Sequence, residues 1–247
     1  MDTANPDKLE SRSAMDLTGD VVGGRHPCPA PDVIIAFLAR VLEDQKRILD
    51  PFAGTGKIAM VKDFGCKAEI VCNEIEVGWK GSLQYDVDEW HFGDAAAMTW
   101  AENDSFDTVC LFPTYGNRMA DHYDIQDNSV RITYQSCLGK NLHTGNTGRL
   151  KYGANYKAKH RVIYQECLRV LEIGGIVTLN ISNHIRAGIL VDVVSWHIDT
   201  LAEMGVRFFR EEKFLTPRMG NGKNRELRAG FEHLFFGRLE NPPEWVK

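Results

Sequence analysis

The 247-residue sequence predicts a doubly wound α/β fold: a mainly parallel seven-stranded sheet that ends in a C-terminal antiparallel hairpin. Three observations predict it. Short apolar runs alternate with helical patterns five times, as strand–helix–strand units do when they stack into a parallel sheet. The first of these runs ends in a glycine turn, Asp50-Pro-Phe-Ala-Gly-Thr-Gly56. The last two runs flank Asn221-Gly222, a dipeptide that favours a tight hairpin.

Each element has its own reason. Residues 1–25 are polar and irregular and end in Gly23-Gly24, so they read as a mobile arm ahead of one domain at 26–247. Pro31 and Asp32 open a helix, because Ile34, Phe37, Leu38, Val41 and Leu42 recur at helical spacing. Residues 47–52 form the first strand. Lys57 to Phe64 is a helix stopped by Gly65. Strands follow at 69–74, 89–94 and 106–112, with a helical stretch from Val77 to Leu83 after the first of them. Residues 116–156 lack steady periodicity and are rich in Gly, Asn, Thr and Tyr; a stretch that long inside a domain is usually functional. Ile163, Cys167, Val170 and Leu171 mark a helix that ends before Gly174. Residues 175–182 form a fifth strand. Leu190, Val193, Val194, Leu201 and Met204 mark a long helix stopped by Gly205. The hairpin strands occupy 206–216 and 232–240.

Composition narrows the function. Hydrophobic residues make up 43% and charged residues 26%, ordinary globular usage. No apolar run reaches the roughly 18 residues of a membrane span. The N-terminus has neither a basic start nor an apolar stretch, so a cytoplasmic location is expected. The six cysteines include no CxxC pair and the histidines no HxxxH, so neither disulfides nor a metal is expected. His160 and His197 read as packing residues.

The net charge of −5 gives no bulk argument for nucleic acid, but its distribution does. Residues 117–160 hold seven basic and three acidic side chains, and so do residues 206–228. Arg118, Arg131, Lys140, Arg149 and Lys151 in the first segment and Arg218 and Lys223 in the second are candidate phosphate ligands. Tyr123, Tyr134, Tyr152 and Tyr156 lie among the first set. The stretch at about 117–156 therefore reads as a compact basic, Tyr-rich insert. The bland alternative is two solvated loops.

The glycine turn admits three ligands. A Walker A loop fails, because Pro51 and Ile58 stand where a phosphate loop cannot use them. The dinucleotide fingerprint fits in part, with Gly54, Gly56 and Ala59 in place and Glu74 suitably spaced for a ribose. The third ligand is S-adenosylmethionine, which has a ribose and an adenine but no pyrophosphate. Asp50 favours it, since a carboxylate there repels pyrophosphate and suits a cationic amino acid tail. Glu74 at the end of the second strand can take both ribose hydroxyls, and Asp94 after the third can accept from an adenine amino group.

Asp50-Pro51-Phe52-Ala53-Gly54-Thr55-Gly56 resembles the DPFxGxG motif of amino-group DNA methyltransferases. Val71-Cys-Asn-Glu-Ile-Glu76 resembles their second motif, Gly93-Asp94-Ala95 their third, and His26-Pro27-Cys28-Pro29-Ala30-Pro31 the motif that lines the methionine end of the cofactor. The resemblance runs from about His26 to the terminal hairpin. It implies a Rossmann-like class I methyltransferase that uses S-adenosylmethionine to methylate N6 of adenine or N4 of cytosine. It also implies DNA as partner, RNA less so. The small size of the 117–156 insert suggests a short or loose recognition sequence or a partner subunit, with a homodimer as the other expectation; restriction-modification, phage defence and housekeeping all stay open as the setting. The family's catalytic [DNS]PP[YFW] should follow the fourth strand, where Phe112-Pro113-Thr114-Tyr115 stands. Pro113 and Tyr115 match. Phe112 offers no acceptor for the target amine, and Thr114 replaces the second proline of a rigid turn. The Pro113 carbonyl can still accept from the amine, and Tyr115 can still stack on the base. The departures keep three other readings open: a catalytically degenerate nucleic-acid-binding subunit, an RNA guanine-N2 methyltransferase and, last, a nicotinamide oxidoreductase.

Overall fold

Ile48 and Leu49 are neighbours in one strand, yet they belong to two different cores. Ile48 packs with Ile34, Ile35 and Leu38; Leu49 packs with Ile163, Tyr164, Cys167 and Leu201. A sheet buried on both faces needs such runs of adjacent apolar residues, and Ile70-Val71-Cys72 and Val109-Cys110-Leu111 divide between the same two cores. Each fully buried Leu or Ile contributes about 1.5–3 kcal/mol. In the computed structural model, residues 30–82, 85–116, 133–186, 188–215 and 230–246 are described.

The main sheet has seven strands in the order β3-β2-β1-β4-β5-β9-β8. Four parallel pairings join β1 (Arg47–Asp50), β2 (Glu69–Glu74), β3 (Glu89–Phe92), β4 (Phe106–Leu111) and β5 (Leu171–Ile181). Antiparallel pairs then add β9 (Phe231–Leu239) and β8 (Val206–Leu215). A separate two-stranded hairpin joins β6 (His184–Arg186) to β7 (Ile189–Val191). Helix α1 (Asp32–Val41) covers one face, and α3 (Ala154–Val170) and α4 (Val194–Glu203) supply the core of the other; α2 (Tyr134–Leu138) is short. The α/β, mainly parallel, seven-stranded architecture with its antiparallel end is the one predicted. Residues 1–29, which hold the expected arm, His26 and Pro27, lie outside the described residues, and so does the Asn221-Gly222 turn.

Four local expectations are corrected. Lys57–Phe64 is a 3₁₀ helix, bounded by left-handed Gly56 and Gly65; its buried Ile58 and Val61 fit a repeat of three. Val77–Ser82 is likewise 3₁₀. Leu171 does not end a helix but begins β5 directly after α3. Gly174, at φ 87°, lies in the irregularity where the pairing with β4 shifts, between Phe106↔Leu171 and Thr108↔Ile176. Leu190 is not on a helix face. It lies exposed in β7, past a turn at Gly188 of φ 77°. The helix starts only at Val194, where the Asn183 side chain accepts from the N–H groups of Val193 and Val194.

Candidate active site

Asp50 and Glu74 stand at the carboxyl ends of β1 and β2, and Asp94 follows β3, all on the side on which open α/β sheets take ligands. Asp50 ends β1, with its carboxylate accepting from the Phe52 N–H at 2.9 Å. The chain then turns through Gly54 (φ 56°) and Gly56 (φ 80°). A Cβ on Gly56 would stand 2.6 Å from the Trp90 ring, so both backbone and packing require glycine there. Glu74 ends β2 and reaches back to this turn: its Oε2 accepts from Gly54 N–H at 2.7 Å and its Oε1 from Glu76 N–H at 2.8 Å. Ala53 N–H donates to the Asn73 carbonyl.

These carboxyls are buried, and their acidities show it. Burial above all raises Asp50 to about 8, with the nearby Glu74 charge adding to it and the Phe52 N–H opposing. Burial raises Glu74 to about 7, against the hydrogen bonds from Glu76 and Gly54. Two neighbouring carboxyls held above their ordinary range at the carboxyl end of the sheet make this a candidate functional site. Pro51 and Ala53 are buried beneath the turn, and Phe52 lies stacked at 6.1 Å from His160.

Asp94 follows β3. Its Oδ1 accepts from Ala96 N–H, and its Oδ2 accepts from the Lys159 ammonium at 2.5 Å. Ala95 packs into the core. A Cβ on Gly145 would touch Asp94 and Ile75, so the backbone of residues 143–146 lies against the end of the site where an adenine is expected. Neither this strap nor its anchor has a local signal in the sequence. Glu76, 2% exposed, accepts from His143 N–H at 2.6 Å and from the Asn146 side chain at 2.9 Å.

Beyond β4 the turn Phe112–Gly116 leaves the sheet. Phe112 packs against the α1-side core and Tyr115 against the opposite one. The Tyr115 hydroxyl donates to Glu232 on β9 at 2.6 Å. Thr114 Oγ1 lies 2.9 Å from Thr147 Oγ1, and the Thr114 carbonyl accepts from Tyr156 at 2.6 Å. A Cβ on Gly116 would meet Tyr152 N and Leu150 O, so the strap continues past the turn. Next to it, a cavity of about 660 Å³ is lined by Arg149, Leu150, Lys151, Tyr152, Gly153, Ala154 and Asn155. The structure thus brings Asp50, Gly54, Gly56 and Glu74 together, and sets Pro113–Tyr115 on the adjoining strand end. Lys140 lies apart, against Gly78. Arg118, Arg131, Arg218 and Lys223 lie outside the described residues. His160 and His197 are fully buried, as packing residues should be, yet both are engaged in hydrogen bonds.

No protein-family profile matches the chain. No curated protein matches it by sequence. Solved structures do. The N-methyltransferase NodS from Bradyrhizobium japonicum WM9 is 11% identical with a TM-score of 0.52, over 85% of this chain and 97% of that one. A chain of the Haloferax volcanii complex of the Trm112 methyltransferase activator with a methyltransferase is 10% identical, also at TM-score 0.52, over 85% and 90%. Pyrococcus horikoshii TYW2, solved in complex with MeSAdo, is 12% identical at a TM-score of 0.48, over 87% of this chain. The chain spans only 64% of the length of TYW2 and 62% of that of the P. horikoshii protein PH0793. At these identities the likeness is one of fold alone: the chain shares a Rossmann-like α/β fold with the methyltransferases matched at TM-score 0.52.

Proposed function

We propose that the chain is an S-adenosylmethionine-dependent methyltransferase acting on an exocyclic amino group of a DNA base, N6 of adenine or N4 of cytosine. One observation carries the reading: Glu74 is bonded to the glycine turn at Gly54, with Pro113–Tyr115 leaving the strand next to that turn. The residues present fit the cofactor. Each Glu74 oxygen accepts one N–H and keeps a lone pair for a ribose hydroxyl. Asp50 suits the cationic amino acid tail, and Gly54 and Gly56 let a ligand approach the backbone.

When bound, the cofactor supplies an electrophilic methyl carbon on sulfur. The chain's own residues do the rest. The Pro113 carbonyl accepts from the target amine and helps its nitrogen leave conjugation with the ring. Tyr115 stacks on the base, which must leave the duplex to reach it. Arg149 and Lys151, lining the cavity beside the turn, suit phosphates. Phe112, turned into the α1-side core, supports the second reading, a non-catalytic nucleic-acid-binding subunit. Incubating the protein with tritiated cofactor and a panel of duplex DNA, tRNA and other RNA, followed by nucleoside analysis, tests both. Label in N6-methyladenine or N4-methylcytosine is the expected result. Label in RNA guanine, or no label despite cofactor and DNA binding, would overturn it.

A further inference from the structure

Tyr156, Tyr164 and His197 lie wholly within the core, on α3 and α4, and take no part in the chemistry above. Burying such groups without partners costs roughly 1–3 kcal/mol each. They solve this by bonding to one another in a chain. Tyr156 Oη is 2.6 Å from the Thr114 carbonyl, which can only accept, so the one phenol proton points there. Tyr156 Oη then accepts from His197 Nε2–H at 2.9 Å. With the proton on Nε2, the neutral ring's Nδ1 accepts from the Tyr164 hydroxyl at 2.5 Å. Burial first, then His160 and Lys157, hold His197 well below its ordinary pKa, so the ring stays neutral. The chain of donors has one direction and ends on a backbone carbonyl of the turn that carries Tyr115.

Thr114 is where that turn needs holding. The ring of Pro113 fixes its own φ. Gly116, at φ 90°, takes a left-handed conformation that favours glycine, with Leu150 and Tyr152 beside it. Thr114 has no ring. Its hydroxyl meets Thr147 and its carbonyl meets Tyr156, so two hydrogen bonds define its orientation. We propose that Tyr156 is a positioning residue: at the head of the Tyr164–His197–Tyr156 chain it fixes the Thr114–Tyr115 peptide plane. The Pro113 carbonyl and the Tyr115 ring are thereby presented in one geometry. What the turn is used for rests on the methyltransferase reading; the clamp itself does not.

Backbone hydrogen exchange of residues 112–116 in the full-length protein, read by mass spectrometry, tests the clamp without any substrate. In Tyr156→Phe this segment should exchange about tenfold faster or more, while β4 and β5 keep wild-type protection. Tyr164→Phe removes only the far donor and should give a smaller rise in the same segment; it carries the test alone should Tyr156→Phe not fold. On the nucleic acid that the tritium panel identifies, Tyr156→Phe should lower kcat about tenfold with KM for the cofactor unchanged. Adding Thr114→Pro should recover part of that loss. Unchanged exchange in the turn overturns the proposal, and so does a rise spread evenly over β4, β5 and the turn, which a packing role alone would give. Local loosening in a protein that methylates nothing would uphold the clamp and remove the methyltransferase reading.

Discussion

The turn after β1 and the turn after β4 leave neighbouring strands, yet they are held in different ways. The first is built from its own stretch of sequence. Its glycines take left-handed conformations, Asp50 bonds to Phe52, and its side-chain hydrogen-bond acceptor Glu74 is only 20 residues from Gly54. The second borrows its support. Thr114 is held by Thr147 and Tyr156, and Tyr115 by Glu232, at separations of 33, 42 and 117 residues. A turn made by local chemistry keeps its shape when the rest of the protein varies. A turn made by distant side chains can be retuned from elsewhere, and it lets Thr114 stand where the resembled motif has proline.

The sharpest way to break this contrast is at Glu74. Glu74→Ala removes the acceptor for two backbone N–H groups and, in the proposed function, for the ribose. Loss of two charge-assisted contacts should weaken S-adenosylmethionine at least about a hundredfold by calorimetry. An unchanged affinity would remove the cofactor site from this turn.

Asp50 sharpens the contrast through pH. Its carboxyl is raised to about 8, so it is largely protonated in the free protein at neutral pH. A cationic ligand requires the charged form, and binding expels the proton. Affinity should therefore rise by up to about tenfold per unit between pH 6 and 8 and level off above. Asp50→Asn should weaken binding at pH 8 and flatten that slope. Stability runs the other way. A folded pKa above the unfolded one favours folding at low pH, and the advantage is lost as pH rises from about 4 through 8. Asp50→Asn should thus melt higher than wild type at pH 8, with the gap shrinking toward pH 5. A variant that melts lower at pH 8 would show that the carboxyl is not strained there.

The same contrast explains what could be read in advance. The strands from 47 to 111 were legible because each is a short apolar run bounded by turn residues, and Asp50, Gly54, Gly56 and Glu74 because their spacing is local. The 3₁₀ character of 57–64 was not, since ending glycines and one apolar face suit either helix. Leu190 matched a helical period by coincidence, and only the Asn183 side chain sets the true start of α4. Tyr156 stands among the charges of the basic segment, where nothing local signals its burial, which follows from α3 packing on the sheet. Glu76 stands at the end of the Val71–Glu76 stretch, but its partners are 67 and 70 residues away. Nothing in the sequence around Phe112–Tyr115 points to Glu232.

At the borrowed turn, Glu232→Gln keeps an acceptor for the Tyr115 hydroxyl but removes its charge. The difference between a charged and a neutral acceptor is about 1 kcal/mol. The turn should loosen modestly: kcat should fall about fivefold while cofactor affinity stays at the wild-type value. A matching loss of cofactor affinity would mean that the two turns are not independently supported.

The smallest effect is expected at Lys151, which lines the cavity beside the borrowed turn. A lysine contacting one phosphate contributes about one unit to the slope of log affinity against log salt. Lys151→Ala should therefore lower that slope for a DNA duplex by about one and weaken binding similarly across sequences. Calorimetry with S-adenosylmethionine alone should show no change, because in the proposed function the two turns divide the work: one would hold the cofactor, the other would face the nucleic acid. If the substitution weakened the cofactor and left the DNA salt slope intact, that division would be wrong, and the cavity would belong to the cofactor side of the site.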